Sequence, residues 1–285
     1  DFIGEVAATA PLVDGMIIVT EASSPVSVGS DNAWAYAERY GVPRAFLVNK
    51  LDKENASFKE AVQALRETYG KRCVPLIVPL GEGAEFKGTV NILDHDEDSF
   101  SETLHQLHAE IQDAVAESNE ALLEKFLETG SLSLEELHRG LHDGIASGHI
   151  VPILAGSVDN NVGMDDMLDV VAESFPSPLD RHVMVLDGNG DEIELQVAPD
   201  APFVAQVFRQ IADPFVGALT LFRVLTGTLT SDTEVYNPNT QTKERVGKLM
   251  LLNGKEHEQV DVVGPGDLAA LTKLKNTRFG DALVA

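Results

Sequence analysis

The 285-residue chain contains one cysteine, Cys73, and one tryptophan, Trp34. A single cysteine excludes a disulfide framework within the chain and fits a reducing compartment, so the cytoplasm is the expected location. No apolar run approaches the roughly twenty residues that a membrane span requires. No basic-then-apolar leader is visible, so neither membrane insertion nor secretion is expected. Positive charge is scarce, with 21 Lys and Arg against 46 Asp and Glu and a net charge of -25. That balance argues against non-specific binding to DNA. No G-x-x-x-x-G-K-[ST] occurs. Residues Gly81–Lys87 offer glycines and a lysine, but Phe86 precedes Lys87, so the stretch reads as an ordinary loop. The 44% hydrophobic content in turn excludes a disordered chain.

The scarce bases are unevenly placed. Residues 201–285 hold nine Lys and Arg and nine Asp and Glu, so the whole excess of acid lies in residues 1–200. The densest stretch, 94–136, has 13 acids and one base, Lys125. Such a surface repels bare phosphate backbones and suits a basic protein partner, or simple solvation.

Short β-branched runs alternate with helical patterns in the first half. Asp1–Val6 reads as a helix under way, and Gly15–Thr20 as a strand. Residues 30–40 read as a helix stopped by Gly41. Arg44–Val48 is a second strand, and residues 54–69 are a helix stopped by Gly70. Val74–Val78 and Ile150–Leu154 complete the set. This alternation predicts an α/β domain built on a parallel sheet covered on both faces. About seventy residues between the last two strands, roughly 80–148, read as an inserted α-rich subdomain. Inside it, residues 102–127 form one amphipathic helix on a 100° wheel started at Leu104. Leu107, Ile111, Val115, Leu122 and Phe126 fall within about 60° of the apolar centre, and Glu102, Glu110, Asp113, Glu117, Glu120 and Glu124 fall opposite. A second helix is predicted from Ser133, with Glu136 completing a capping box.

Residues 174–181 carry two prolines and read as a boundary. Residues 183–197 alternate about a turn at Asp187-Gly188-Asn189-Gly190, a hairpin signature. From Pro202 the period is two. Val204–Ile211, Ala218–Leu225, Glu234–Asn237, Glu244–Leu251 and Leu268–Leu271 are the strand candidates of an antiparallel β-barrel.

The sharpest chemical signal is Asn49-Lys50-Leu51-Asp52, directly after the strand Arg44–Val48. Ligands of an open parallel sheet bind beyond the carboxyl ends of its strands. Guanine presents two adjacent donors, its ring N–H and its exocyclic amine. The Asp52 carboxylate can accept both in a charge-assisted pair, and adenine leaves it unmatched. Asn49 carries an acceptor and a donor for holding the loop and reaching the base edge. The Lys50 stem can lie across the ring with its ammonium in water. The same tetrapeptide also suits a polar strand-to-helix turn. Ala155-Gly156-Ser157-Val158 follows the strand Ile150–Leu154 at the same edge, and its backbone N–H groups could donate to a base carbonyl. His138, His142 and His149 lack the carboxylate or cysteine that would complete a zinc set. Asp159-Asn160-Asn161 lacks calcium-loop spacing. Trp34 and Phe46 read as core, and Cys73 as inert.

These loops carry a resemblance. The chain resembles translational GTPases, and among them elongation factor G and its paralogues, essentially from end to end. Asn49–Asp52 resembles that family's guanine-specificity motif, and Gly156, Ser157 and Val158 its last base-binding loop. Asp1–Val6 resembles the segment after its second phosphate-sensing motif. Phe86-Lys87-Gly88 and the acidic helix resemble its insertion, and Pro176-Ser177-Pro178 its domain boundary. Asp213-Pro214-Phe215-Val216-Gly217, Phe222-Arg223-Val224, Gly227-Thr228-Leu229, Gly266-Asp267-Leu268-Ala269-Ala270 and Gly280-Asp281 resemble its second domain.

The resemblance implies a partial GTPase domain over 1–178, a linker hairpin over 179–200 and the second domain over 201–285. It places the phosphate loop, the magnesium ligands, and the D-x-x-G motif with its catalytic histidine upstream of the match to Asp1. The expected reading is therefore an internal fragment with no catalytic residue of its own. The parent would couple GTP hydrolysis to ribosomal translocation, with GTP or GDP and Mg2+ bound by the whole protein. Glu110, Asp113, Glu117, Glu120 and Glu124 correspond to a contact with the ribosomal stalk protein. Lys248, Lys273 and Lys275 are candidates for phosphate contacts with the small subunit. Two other classes remain: a non-catalytic ribosome-docking or ribosome-protection paralogue, and an unrelated acidic α/β enzyme with a chance N-K-x-D.

Overall fold

The computed structural model describes residues 3–93, 101–181, 183–213, 217–254, 256–272 and 274–285. The expectations placed on residues 94–100, on Pro214, Phe215 and Val216, and on Lys273 lie outside the described residues. Two compact units form: Val13–Pro176, and Asp1–Leu12 together with Ser177–Ala285.

The first unit is built on a five-stranded sheet. Its strands are β1 (Met16–Glu21), β2 (Arg44–Asn49), β3 (Cys73–Leu80), β4 (Gly88–Asn91) and β5 (Val151–Ala155), in the order β1-β2-β5-β3-β4. The first four strands of that order run parallel, and β4 closes the edge antiparallel to β3. The parallel sheet read from the sequence thus carries one reversed strand, because the tight turn after Leu80 returns the chain directly. Residues 44–48 and 151–155 are buried without interruption, as strands covered on both faces must be.

Helices α2 (Val28–Tyr40) and α3 (Phe58–Tyr69) connect these strands. Gly41 ends α2 in the left-handed region at φ 61°, as its position in the sequence predicts. Helix α3 starts four residues later than the pattern suggests. Asn55 takes φ 65°, and the Ser57 side chain caps the Glu60 N–H. Trp34, Phe46 and Tyr69 stack together with ring centroids 4.6–5.7 Å apart. The guanidinium carbons of Arg44 and Arg72 lie 3.9 Å and 4.7 Å from the Trp34 ring centre, and both groups pair with Glu38.

The insertion contains α4 (Glu102–Glu117), α5 (Glu120–Thr129) and α6 (Leu134–Ala146). The single helix expected over 102–127 is two helices. The Asn119 side chain accepts from the N–H groups of Ala121 and Leu122, which caps a new helix and ends the old one. Helix α6 begins at Ser133 with the capping box predicted for it. Helix α7 (Met164–Ser174) follows β5.

The second unit contains α1 (Ile3–Thr9) and a hairpin of β6 (Val183–Leu186) with β7 (Glu192–Leu195). Its main sheet has eight strands: β8 (Val204–Asp213), β9 (Gly217–Thr226), β11 (Glu234–Asn237), β12 (Thr242–Arg245), β13 (Leu249–Asn253), β14 (Glu256–Val260), β16 (Leu268–Thr272) and β17 (Ala282–Val284). Their order is β12-β11-β17-β8-β9-β16-β13-β14, with antiparallel pairing throughout. β10 (Leu229–Thr230) pairs separately with β15 (Val262–Val263). One hydrophobic cluster, including Val207, Phe222, Val235, Leu249, Val263 and Leu283, is shared by strands from across this unit. The strand expected over Glu244–Leu251 divides at Val246–Lys248. Gly247 there approaches Thr272 so closely that a Cβ would lie 3.2 Å from its hydroxyl.

Candidate functional site

The carboxyl ends of β1, β2 and β5 meet at one edge of the first sheet. Glu21 pairs with Asn49 in register, and Val48 pairs with Ala155. The two loops singled out in the sequence, separated by about a hundred residues, therefore start side by side.

Asn49 joins them. Its Oδ1 accepts from the Lys50 N–H at 2.8 Å and from the Val158 N–H at 2.9 Å. The first bond holds Lys50 in the left-handed region at φ 63°, a conformation unusual for a residue with a long side chain. The Asn49 amide nitrogen has no hydrogen bond among the described residues, so both of its N–H donors remain available.

Asp52 is largely covered, with 12% of its side chain exposed. Its Oδ1 accepts from the Ser157 hydroxyl at 2.6 Å, and its Oδ2 lies 3.0 Å from the Lys53 ammonium. The Ser157 hydrogen bond and then the Lys53 contact hold the Asp52 carboxyl below its ordinary range. It is thus an ionised acceptor, the state that guanine recognition requires. Lys53 is raised by Asp52 and also faces Asp159 at 3.8 Å. Lys50 reaches Glu21 at 3.0 Å, and this partner lowers the Glu21 carboxyl.

The second loop is held tightly. Gly156 donates to the Val48 carbonyl at 3.0 Å and Ser157 to that of Val162 at 2.9 Å. Together with the Val158–Asn49 bond, these occupy all three N–H groups that the sequence offers to a base carbonyl. These bonds build the loop, because backbone donors need partners. Val158, with 51% of its surface exposed, carries the most accessible of the three residues. A Cβ on Gly156 would lie 2.7 Å from the Met164 methyl and 3.2 Å from the Val162 carbonyl oxygen.

Glu21, Lys53 and Asp159 belong to this edge and were missed by motif reading. Their signal was positional: Glu21 ends β1 as Asn49 ends β2, and Lys53 and Asp159 directly follow the two motifs. The Gly81–Lys87 stretch is a loop, in which Lys87 pairs with Glu85. Among the described residues no cluster of His, Cys, Asp or Glu could hold a metal ion. No helix there is long and apolar enough to cross a membrane. Cys73 is fully buried, which pushes its thiol up to about 12.

The acidic residues divide between two helices. Glu110, Asp113 and Glu117 lie exposed on α4, and Glu120 and Glu124 lie exposed on α5. Glu110 pairs internally with Arg66 of α3 at 2.7 Å. In the second unit Lys248 and Lys275 are exposed.

An open α/β sheet is joined in sequence to an antiparallel β unit, the arrangement found in translational GTPases. The family model for the elongation factor Tu GTP binding domain matches residues 1–177. The chain belongs to that family. The model for elongation factor G domain 2 matches residues 202–285. A crystal structure of a protein from Thermus thermophilus is similar over 100% of this chain, with a TM-score of 0.84 and 26% identity. The chain spans 42% of that structure's length.

Proposed function

We propose that this chain carries the base-reading half of a guanine-nucleotide site in a ribosome-associated elongation factor G-like GTPase. Asp52 accepts the two guanine donors, and Asn49 offers its amide nitrogen to the base edge. Lys50 lays its stem along the ring. Gly156, Ser157 and Val158 close the pocket, with the Val158 N–H shared between Asn49 and the base oxygen. The observation that carries this reading is the bridge from Asn49 Oδ1 to both loops, with an ionised Asp52 beside it.

The phosphates, Mg2+ and the hydrolytic groups are served by residues outside these 285. Stabilising the charge of phosphoryl transfer depends on such groups. The chain alone therefore does not turn over GTP, and phosphate release that scaled with its concentration would contradict this. The whole protein is cytoplasmic and couples GTP hydrolysis to translocation. Guanine-over-adenine selectivity that Asp52→Asn abolishes is the direct test of the base site.

Asp113, Glu117, Glu120 and Glu124 form the face offered to lysines of the ribosomal stalk, with Glu110 partly withheld by Arg66. Reversing three of these charges should weaken stalk binding and flatten its salt dependence; unchanged binding would leave the face to solvation alone. Lys248 and Lys275 face the small subunit, as does Lys273 in sequence. A docking protein without catalysis is the second reading. It is favoured by the internal partners that already occupy Asp52 and the loop amides.

A further inference from the structure

Lys53 bridges the two loops at the edge of the first sheet. Its ammonium lies 3.0 Å from Asp52 Oδ2 in the first loop and 3.8 Å from Asp159 Oδ2 in the second. The Lys53 N–H donates to the Lys50 carbonyl at 3.1 Å, and the Lys53 carbonyl accepts from the Ala56 N–H at 3.2 Å. The backbone is thereby pinned on both sides. The side chain is free to swing: 54% of it is exposed, and the ammonium ends a flexible four-carbon stem. The two carboxylates differ in their surroundings. Asp52 is covered, and Ser157 already holds its Oδ1. Asp159 is 70% exposed, and no other cation pairs with it among the described residues.

A guanine held by Asp52 uses both of its oxygens, one for the ring N–H and one for the exocyclic amine. At Oδ2 that donor meets the Lys53 ammonium. An oxygen accepts more than one hydrogen bond, but an ammonium is strongly hydrated and neutralises the charge that strengthens the base contact. The lysine is not needed to keep Asp52 ionised at neutral pH, since an ordinary Asp carboxyl titrates near 4. The ion pair at Asp52 therefore opposes base binding. Asp159 offers the displaced ammonium a second partner, and closing the gap from 3.8 Å to a charge-assisted hydrogen bond takes about 1 Å of movement.

We propose that Lys53 competes with guanine for Asp52 and passes to Asp159 when the base binds, which makes Lys53 and Asp159 determinants of the site's affinity. The inference rests on the reading that this edge binds guanine.

The test titrates the whole chain with guanosine, which carries no charge, and separately with adenosine, at several salt concentrations. The Lys50 and Val158 amide resonances report binding. Lys53→Met should raise guanosine affinity roughly threefold, the scale of one exposed ion pair. The gain should shrink as salt screens that pair in the parent chain. Lys53→Arg keeps the charge and should bind no tighter than the parent chain. Asp159→Asn should weaken guanosine binding in the parent chain and change nothing in the Lys53→Met background. A purely structural role for Asp159 would give the same loss in both. Unchanged thermal melts of these exposed-site variants would confirm that the fold is intact. If the parent chain selects guanosine and Lys53→Met binds it equally or more weakly, this proposal fails and the base reading stands. An equal loss from Asp159→Asn in both backgrounds, or an equal gain for adenosine in Lys53→Met, also overturns the proposal. If neither the parent chain nor Lys53→Met binds guanosine, the base reading fails and the proposal falls with it. Selective binding by Lys53→Met alone supports both.

Discussion

The Ser157 hydroxyl donates to Asp52 Oδ1 at 2.6 Å, across 105 residues of sequence. This bond fixes one oxygen of the Asp52 carboxylate and helps keep it ionised. Ser157→Ala should move the Asp52 titration up toward its ordinary value of 3.8. Losing a hydrogen bond to a charged, mostly covered group should cost about 1–2 kcal/mol of stability. Carbon-detected NMR titration of the Asp52 carboxyl reads the first effect, and urea unfolding the second. An unmoved titration would mean that the bond is not formed in solution.

Gly163 and Gly148 both have positive φ, at +78° and +75°, but differ in the space around them. A Cβ on Gly163 would lie 2.5 Å from the Ala155 carbonyl oxygen, at the strand end that leads into Gly156–Val158. Nothing lies within 4 Å of one on Gly148. Gly163→Ala should therefore destabilise the first unit by clearly more than the roughly 1 kcal/mol expected from backbone conformation alone at Gly148→Ala. Comparable urea midpoints for the two variants would contradict this.

Much of this site is legible in the sequence, because N-K-x-D and A-G-S-V each follow a buried strand. The adjacency of those strands is not legible. α3, β3, β4 and three insertion helices separate β2 from β5 in sequence, and strand order is a tertiary property. The wheel followed the apolar residues across the break, although Ser118 and Asn119 fall within about 60° of its apolar centre and interrupt that face. The signal was local: Asn119 before Glu120 is an N-cap pattern. Ser57 with Glu60 three residues later likewise marked the true start of α3. The occupied amides of Gly156, Ser157 and Val158 could not be foreseen, since their partners lie on β2 and at Val162.

Cys73 is buried at the start of β3, and desolvation pushes its thiol up to about 12. The thiolate is the reactive form, so the folded chain should resist thiol reagents at neutral pH. Labelling with a disulfide reagent should proceed at the rate of unfolding and accelerate in urea. Prompt labelling of native protein would contradict the burial.

Glu136 caps α6 and pairs with Lys125. The Lys125 contact first, and then the Ser133 bonds, pull its carboxyl down to about 2 from an ordinary 4.5. Its folded value lies below its unfolded value. Its contribution is therefore present above pH 4.5 and lost as pH falls toward about 2. Lys125→Met should raise the NMR titration midpoint of Glu136. A midpoint unchanged from the parent chain would place the cause in the capping box alone.

The central claim is that this edge of the sheet reads guanine. The direct measurement follows the Lys50 and Val158 amide resonances while the chain is titrated with GDP and, separately, with ADP. GDP should shift both saturably, ADP should leave them in place, and Asp52→Asn should abolish the GDP response without loss of fold. Equal shifts with ADP, persistence in Asp52→Asn, or no response to GDP would contradict the account.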